Sequence, residues 1–280
     1  MKRIAIVTDS TADIPQELAE TLGITIIPLT VNFGMKQYRD GIDIKSDQFY
    51  QMLASANPLP TTSQPSPAEF QELYERLLQD HDSVISIHLS AGLSGTLSSA
   101  SAAQEMVQGD VHLVDSRSIS LGIGALVAEA IELVKQDLDA AEIADRLLAA
   151  RDRIEVLFTL DTLEYLHRGG RIGRVQAVMG SLLNIKPIVR VVDGIYVTAG
   201  KARRQEQALK TMAELFTSLA NGRQVKRIAV AHGAALEAAQ MLANLLEQTF
   251  GQKIELLTQV GPVIGVHTGP GTIGACVTFA

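Results

Sequence analysis

An α/β fold in two parts is predicted by three features of this 280-residue chain. Short apolar runs alternate with helical periods through the first half. An Asp193-Gly194 turn separates two apolar runs in the second. With 46% hydrophobic residues, the chain can fill one large core or two of ordinary size, and two are favoured.

The elements follow in order. Ile4 to Val7 is short and apolar, as a buried strand is, and Ile14 to Leu22 has helical spacing with Pro15 in its first turn, where a missing N–H does no harm. Thr25 to Val31 reads as the next strand. Phe70 to Leu78 is helical, Val84 to Leu89 a strand, Thr96 to Val107 a helix and Val111 to Val114 a strand, after which Leu121 to Lys135 and Ala140 to Ala150 are helical. Strand followed by helix, repeated, calls for a largely parallel sheet covered on both faces.

The second half has a different texture. Glu155 to Thr159 is a strand, and Leu160 to Leu183 is helical but interrupted by Gly169-Gly170 and Gly173. Ile188 to Val192 and Ile195 to Thr198 flank Asp193-Gly194, a strong hairpin signal, so antiparallel pairing enters here. Ala202 to Leu219, Arg227 to Ala231, Leu236 to Thr249 and Ile254 to Thr258 continue as helix, strand, helix, strand, and Ile273 to Phe279 closes the chain as an apolar strand. The change places a domain boundary near residue 152, giving units 1–152 and 153–280.

Charge and composition narrow the function. A formal net charge of −7 argues against a protein whose main work is gripping nucleic acid, which leans on a basic surface. The single cysteine, Cys276, lies in the last apolar run and reads as core, and it can form no intramolecular disulfide. The basic and then apolar N-terminus is too short for a signal peptide, and no window approaches the roughly 18 apolar residues of a membrane span, so a cytoplasmic protein is expected. The six His residues show no ligand spacing with Cys, Asp or Glu, so neither a metal nor a cofactor is expected.

Three turns rich in small donors stand out: Pro60-Thr61-Thr62-Ser63-Gln64-Pro65-Ser66-Pro67, Ser90-Ala91-Gly92-Leu93-Ser94-Gly95-Thr96 and His267-Thr268-Gly269-Pro270-Gly271. Convergence would make a pocket rich in donors and poor in fixed charge. The second turn follows a strand and opens a helix, a place that suits an anionic group, but Ser94 or Thr96 there serves equally as a helix cap. The same segment partly matches the G-x-S-x-G elbow of serine hydrolases, with Thr96 where the second glycine belongs, so an esterase or lipase using Ser94 is the alternative reading. His267 stands beside a tight turn, where a structural role is also common. Arg168, Arg171 and Arg174 are threaded among glycines, which are poor helix formers, and Lys201, Arg203, Arg204 and Lys210 gather at a helix start.

Taken in order, these motifs form a recognisable set. Thr8-Asp9-Ser10, Arg39-Asp40-Gly41-Ile42-Asp43, the Pro60 and Ser90 turns and Asp115-Ser116 are followed by Leu160-Asp161-Thr162-Leu163-Glu164-Tyr165-Leu166, Gly169-Gly170-Arg171-Ile172, Leu183-Asn184-Ile185-Lys186-Pro187 and the His267 turn. The set resembles the DegV family of bacterial fatty-acid-binding proteins over almost the whole chain. The resemblance implies a three-layer α/β/α N-terminal domain with a parallel sheet and a C-terminal two-layer α/β domain with a mixed sheet. It implies a carrier with no catalytic residues of its own, holding one long-chain fatty acid with its tail in unit 1–152 and its carboxylate at the domain interface. A fatty acid kinase would receive the carboxylate and make an acyl phosphate for phospholipid synthesis. The family's carboxylate contacts fall on Thr61 or Thr62, on Ser94 and on His267, while Arg171 and Arg203 match basic positions for partner docking or phosphate stabilisation. Leu97 and His167-Arg168 depart from the aromatic and the Lys-Lys or Lys-Arg of many relatives.

Overall fold

The structure is a computed structural model that describes residues 2–175 and 185–280. The chain begins with β1 (Ile4–Asp9), a 3-10 turn, α1 (Gln16–Leu22), β2 (Ile24–Ile27), β3 (Thr30–Phe33), β4 (Lys36–Arg39), α2 (Ser46–Leu53), β5 (Thr61–Ser63) and α3 (Pro67–Leu77). It continues through β6 (Ser83–His88), α4 (Thr96–Met106), β7 (Asp110–Asp115), α5 (Leu121–Val134), α6 (Ala140–Ala150), β8 (Ile154–Thr159) and α7 (Glu164–Arg168). The remainder is β9 (Lys186–Val192), β10 (Ile195–Ala202), α8 (Gln205–Ala220), β11 (Val225–His232), α9 (Leu236–Phe250), β12 (Leu256–Gln259), α10 (Pro262–Thr268) and β13 (Ile273–Phe279). The end of the helical stretch expected up to Leu183, and Leu183-Asn184 of the motif that runs to Pro187, lie outside the described residues.

Two large sheets result. One is parallel, in the order β2-β1-β6-β7, and the other mixed, in the order β10-β9-β8-β13-β11-β12. The predicted hairpin forms β9 and β10, with Ile195 opposite Val192. Helices cover both faces of the parallel sheet. Phe70, Leu73 and Tyr74 of α3 and Ala100 and Ala103 of α4 pack on Ala5, Val7 and Val84, while α5 and α6 bring Ile123, Leu126, Ile143 and Leu147 to Ile6, Ile85 and Ile87. On the mixed sheet, α8 and α9 bury Met212, Phe216, Leu242 and Leu246 against Leu157, Ile228, Val230 and Val277.

One expected strand is divided. Thr25 to Val31 breaks at Pro28, which has no N–H for a ladder, so β2 stays in the parallel sheet and the chain turns into a third, three-stranded antiparallel sheet, β4-β3-β5. This small sheet was not foreseen. It carries the Thr61-Thr62-Ser63 segment as β5.

Helix α5 carries two apolar faces, as a helix packed between two sheets must. Ile123, Leu126, Val127 and Ala130 face the parallel sheet, whereas Leu121, with Ala125 beside it, joins Val156, Phe158, Ile264 and Cys276 against the mixed sheet. Cys276 is therefore core, with burial pushing its thiol up to about 12. Farther along α5, Lys226 Nζ on β11 pairs with Glu129 at 2.7 Å and Glu132 at 2.8 Å, and Arg227 pairs with the same two carboxylates. Gly122 allows the close approach at the start of the helix, because a Cβ there would overlap the Ser118 hydroxyl and come within 2.8 Å of Val156 Cγ2.

Two neighbouring substitutions should therefore have opposite effects in urea unfolding. Gly122→Ala overpacks this contact and should destabilise the protein by about 1–3 kcal/mol. Gly124→Ala places its Cβ 3.4 Å from Ala12 O, an ordinary contact, and should be neutral or stabilise by up to about 1 kcal/mol through helix propensity.

Candidate functional site

The three hydroxyl-rich turns converge around the end of α10. Strand alternation turns Thr62 inward while Thr61 and Ser63 are exposed, and the Thr62 hydroxyl lies 2.9 Å from His267 Nε2 in the last turn of α10. Two residues on, Gln64 reaches the second turn. A Cβ on Gly95 would lie 2.6 Å from Gln64 Oε1, and Gln64 Nε2 donates to Ser99 Oγ at 3.2 Å. Ser94 is half-buried beside Gly95, its hydroxyl 3.0 Å from Thr96 Oγ1 and accepting the Thr96 N–H at 3.3 Å. It thus stands just ahead of the first turn of α4, where N–H groups and the helix dipole favour negative charge.

Arg171 closes the far side. Its Nε donates to Leu93 O at 3.2 Å and its Nη1 to Gly169 O at 2.8 Å, which ties the second turn to the loop after α7. Gly169 leaves room for the His267 ring, since a Cβ would overlap Nδ1. That nitrogen is buried without a partner. Burial, reinforced by the Arg171 charge, lowers the His267 pKa to about 4, so the ring is neutral at neutral pH.

A fully buried chain of hydrogen bonds supports the second turn from below. Asp9 accepts the Leu89 N–H at 3.1 Å and His88 Nδ1–H at 2.9 Å, Ser86 Oγ lies 2.6 Å from His88 Nε2, and Tyr74 donates to Ser86 at 2.9 Å. Ser86, His88 and Asp9 have the residue types of a hydrolytic triad, but none is exposed and no substrate reaches them. Their consequence is positional: Asp9 fixes the strand end from which the Ser90 turn departs. The Asp193-Gly194 hairpin tip steadies the same turn, because Gly194 O accepts the Ser90 hydroxyl at 2.7 Å.

Of the residues singled out from the sequence, Thr62, Ser94, His267 and Arg171 are gathered here. Thr61 points away, on the opposite face of β5. Arg203 is exposed ahead of α8, its backbone N–H donating to Gln207 Oε1 at 3.2 Å, and no hydrogen bond or ion pair among the described residues joins it to the site. The hydrolase alternative needs a His on Ser94 and an acid behind that His. Ser94 instead bonds Thr96, and His267 bonds Thr62 with nothing on Nδ1. Sequence reasoning missed α10 itself and the part played by Gln64. Gly261-Pro262, with Pro at the first helical position, is the signal for the helix start.

A small apolar cavity of about 30 Å³ lies on another face of α10, lined by Ile264 and Thr268 together with Ile119, Leu121, Val156 and Phe158. A parallel and a mixed sheet, joined through α5 and α10, with a cluster of polar groups on one side of α10 and a small apolar cavity on another, define a two-domain α/β protein. The chain belongs to the DegV family: the family model described as "Uncharacterised protein, DegV family" matches residues 3–280. A DegV domain-containing protein of Halalkalibacterium halodurans is 41% identical over 276 residues, 98% of each chain. A DegV family protein from Thermus thermophilus, described as fatty-acid-binding, superposes with a TM-score of 0.94 at 37% identity over 99% of this chain and 100% of that one. DegV of Bacillus subtilis, a fatty acid binding protein, gives 0.91 at 38% identity over the full length of both. No helix among the described residues is long and apolar enough to cross a membrane.

The depressed His267 pKa has a signed consequence. Below the usual 6.5 and down to about 4 the folded chain binds fewer protons at this ring than the unfolded chain does, so this group's contribution to stability falls as pH drops through that window. In NMR titration the His267 ring carbons, assigned with His267→Gln, should stay in their neutral positions down to about pH 5.

Proposed function

We propose that this chain binds one long-chain fatty acid, carboxylate among Thr62, Ser94 and His267, and presents it to a fatty acid kinase. The observation that carries the reading is the Thr62 to His267 contact, which sets a cluster of hydrogen-bonding groups on the same short helix that lines the apolar cavity. Hydroxyls and a helix N-terminus solvate a carboxylate without a permanent ion pair, so the head group is held yet free to react. Affinity then comes from the tail, at ~0.8 kcal/mol per buried CH₂, on the order of 10 kcal/mol for an ordinary chain before entropic costs.

The tail path starts at the cavity, where Ile119 and Leu121 of unit 1–152 meet Val156, Phe158 and Ile264 of unit 153–280. A void of about 30 Å³ has room for little more than one water-sized group, so admitting an acyl chain requires α10 or its neighbours to move. Arg171, beside the pocket, suits the developing phosphate, and exposed Arg203 suits partner docking. The ATP chemistry belongs to the kinase, and the setting is bacterial phospholipid synthesis in the cytoplasm.

Native mass spectrometry of protein purified without detergent should reveal a stoichiometric fatty acid. Thr62→Val and Ser94→Ala should each weaken fatty acid binding about tenfold, the worth of one hydrogen bond to a charged group. Acyl phosphate should form only when a bacterial fatty acid kinase and ATP are both added, and Arg203→Ala should raise the KM for the carrier while leaving fatty acid affinity unchanged. Ester hydrolysis lost on Ser94→Ala would defeat the reading.

A further inference from the structure

The N-terminal end of α10 is gripped as closely as the end that carries His267. Asp13 and Asp40 are only 7% and 4% exposed. Asp13 accepts the Gly261 N–H at 2.8 Å and the Ser120 hydroxyl, and Asp40 accepts the Val263 N–H at 3.4 Å and a hydrogen bond from Ser10. A Cβ on Gly261 would lie 3.0 Å from Asp13 Oδ1 and 3.4 Å from Asp40 Oδ1, so both carboxyls press on one side of the same backbone.

The surroundings make this an unusual pair. Asp9, with its partner His88, lies behind Asp13 at the end of β1, and Tyr50 of α2, whose buried hydroxyl has no partner, faces both carboxyls. Lys45, at the head of α2, lines the same cleft, and His267 sits at the opposite end of α10. Among the described residues neither carboxyl forms an ion pair. The cleft, about 570 Å³, opens between Ile24 and Ile26 of β2 and Thr258 and Gln259 of β12, giving water and protons access to both groups.

We propose that Asp13 and Asp40 form a proton-controlled clasp on α10, closed while the pair keeps a proton and loosened when both carboxyls ionise, which sets how fast a bound fatty acid exchanges. The clasp rests on the reading of the chain as a fatty acid carrier. Its link to exchange is α10, which bears His267, lines the apolar cavity through Ile264 and Thr268, and must yield for a tail to pass.

The direction follows from the titration. Burial pushes Asp13 up to about 7, and burial together with the Asp13 charge pushes Asp40 up to about 7, while a released, solvated carboxyl returns to 3.8. A raised folded pKa means that protons favour the closed clasp, an effect complete in acid and lost as pH rises through 7. Between pH 6 and 8.5 loss of the pair's last proton disfavours the closed form about tenfold. His267, already neutral at pH 6, contributes nothing across this window.

Release of a fluorescent long-chain fatty acid to phosphatidylcholine vesicles should be timed from pH 6 to 8.5 for the native chain and for Asp13→Asn/Asp40→Asn. In parallel, hydrogen exchange at the Gly261 and Val263 amides of the native chain should be followed, corrected for its intrinsic pH dependence. Release should speed up about tenfold in the native chain and stay flat in the double variant, and both amides should lose protection over the same range. A flat native profile, or a pH step that survives in the double variant, overturns the clasp. Should the variant not fold, unchanged amide protection across the window overturns it and falling protection supports it. Failure of the native chain to bind the probe at any pH defeats the carrier reading instead, and the amide measurement still decides the clasp.

Discussion

Helix α10 is seven residues long, and every one of them except half-buried His267 is withdrawn from solvent. A helix this short has no stability of its own in water. It exists because each of its faces is claimed by a different neighbour: Val263 and Val266 by Leu29, Val31, Phe49 and Leu53, and Ile264 by the cluster of Val156, Phe158 and Leu166. Gly265 permits a close approach of α2, since a Cβ there would lie 2.5 Å from Phe49 Cε1 and 2.9 Å from the Tyr50 hydroxyl. The small sheet, α2, α7 and the mixed sheet must all be in place before His267 can meet Thr62. The Thr62–His267 contact is a product of long-range packing, with no local segment that could form it alone.

The charge pattern around that helix is equally constrained. A cation is present, but Arg171 spends two of its donors on backbone carbonyls, and its field, added to burial, keeps His267 neutral. The groups hydrogen-bonded to His267 and Ser94 are hydroxyl and amide dipoles, and the Arg171 charge reaches His267 without bonding it. Dipoles fixed by a folded backbone need no reorganisation when an anion arrives or leaves. The two carboxyls at the other end of α10 are far less comfortable, being buried together against a helix start that welcomes negative charge but can hold only part of it.

Much of this was legible in the sequence, for reasons that differ by element. Ala140 to Ala150 is α6 residue for residue, Leu121 to Lys135 matches α5 to within one residue, and Asp193-Gly194 makes the expected hairpin. The third sheet was illegible because β4, Lys36-Gln37-Tyr38-Arg39, is mostly exposed and shows no apolar alternation. Helix α10 reads as an apolar run because burial on all sides erases helical periodicity, the same ambiguity that makes short buried strands and helices look alike. Ser94 and His267 stood out by composition, but the pairing of Thr62 with His267 spans 205 positions and leaves no local trace. Thr61 and Thr62 could be separated only by knowing that the segment is a strand.

Helix α5 carries a further implication. With Leu121 and Ala125 facing one sheet and Ile123, Leu126 and Val127 the other, the two cores share helix α5 and are not closed at that joint. A fragment ending near residue 152 would keep its parallel sheet yet present an uncovered apolar strip, a surface prone to self-association. The complementary fragment would lack the helix that covers one face of its mixed sheet. The halves are therefore unsuited to independent shuffling between proteins, and substitutions at Ala125 or Val156 are felt on both sides of the joint.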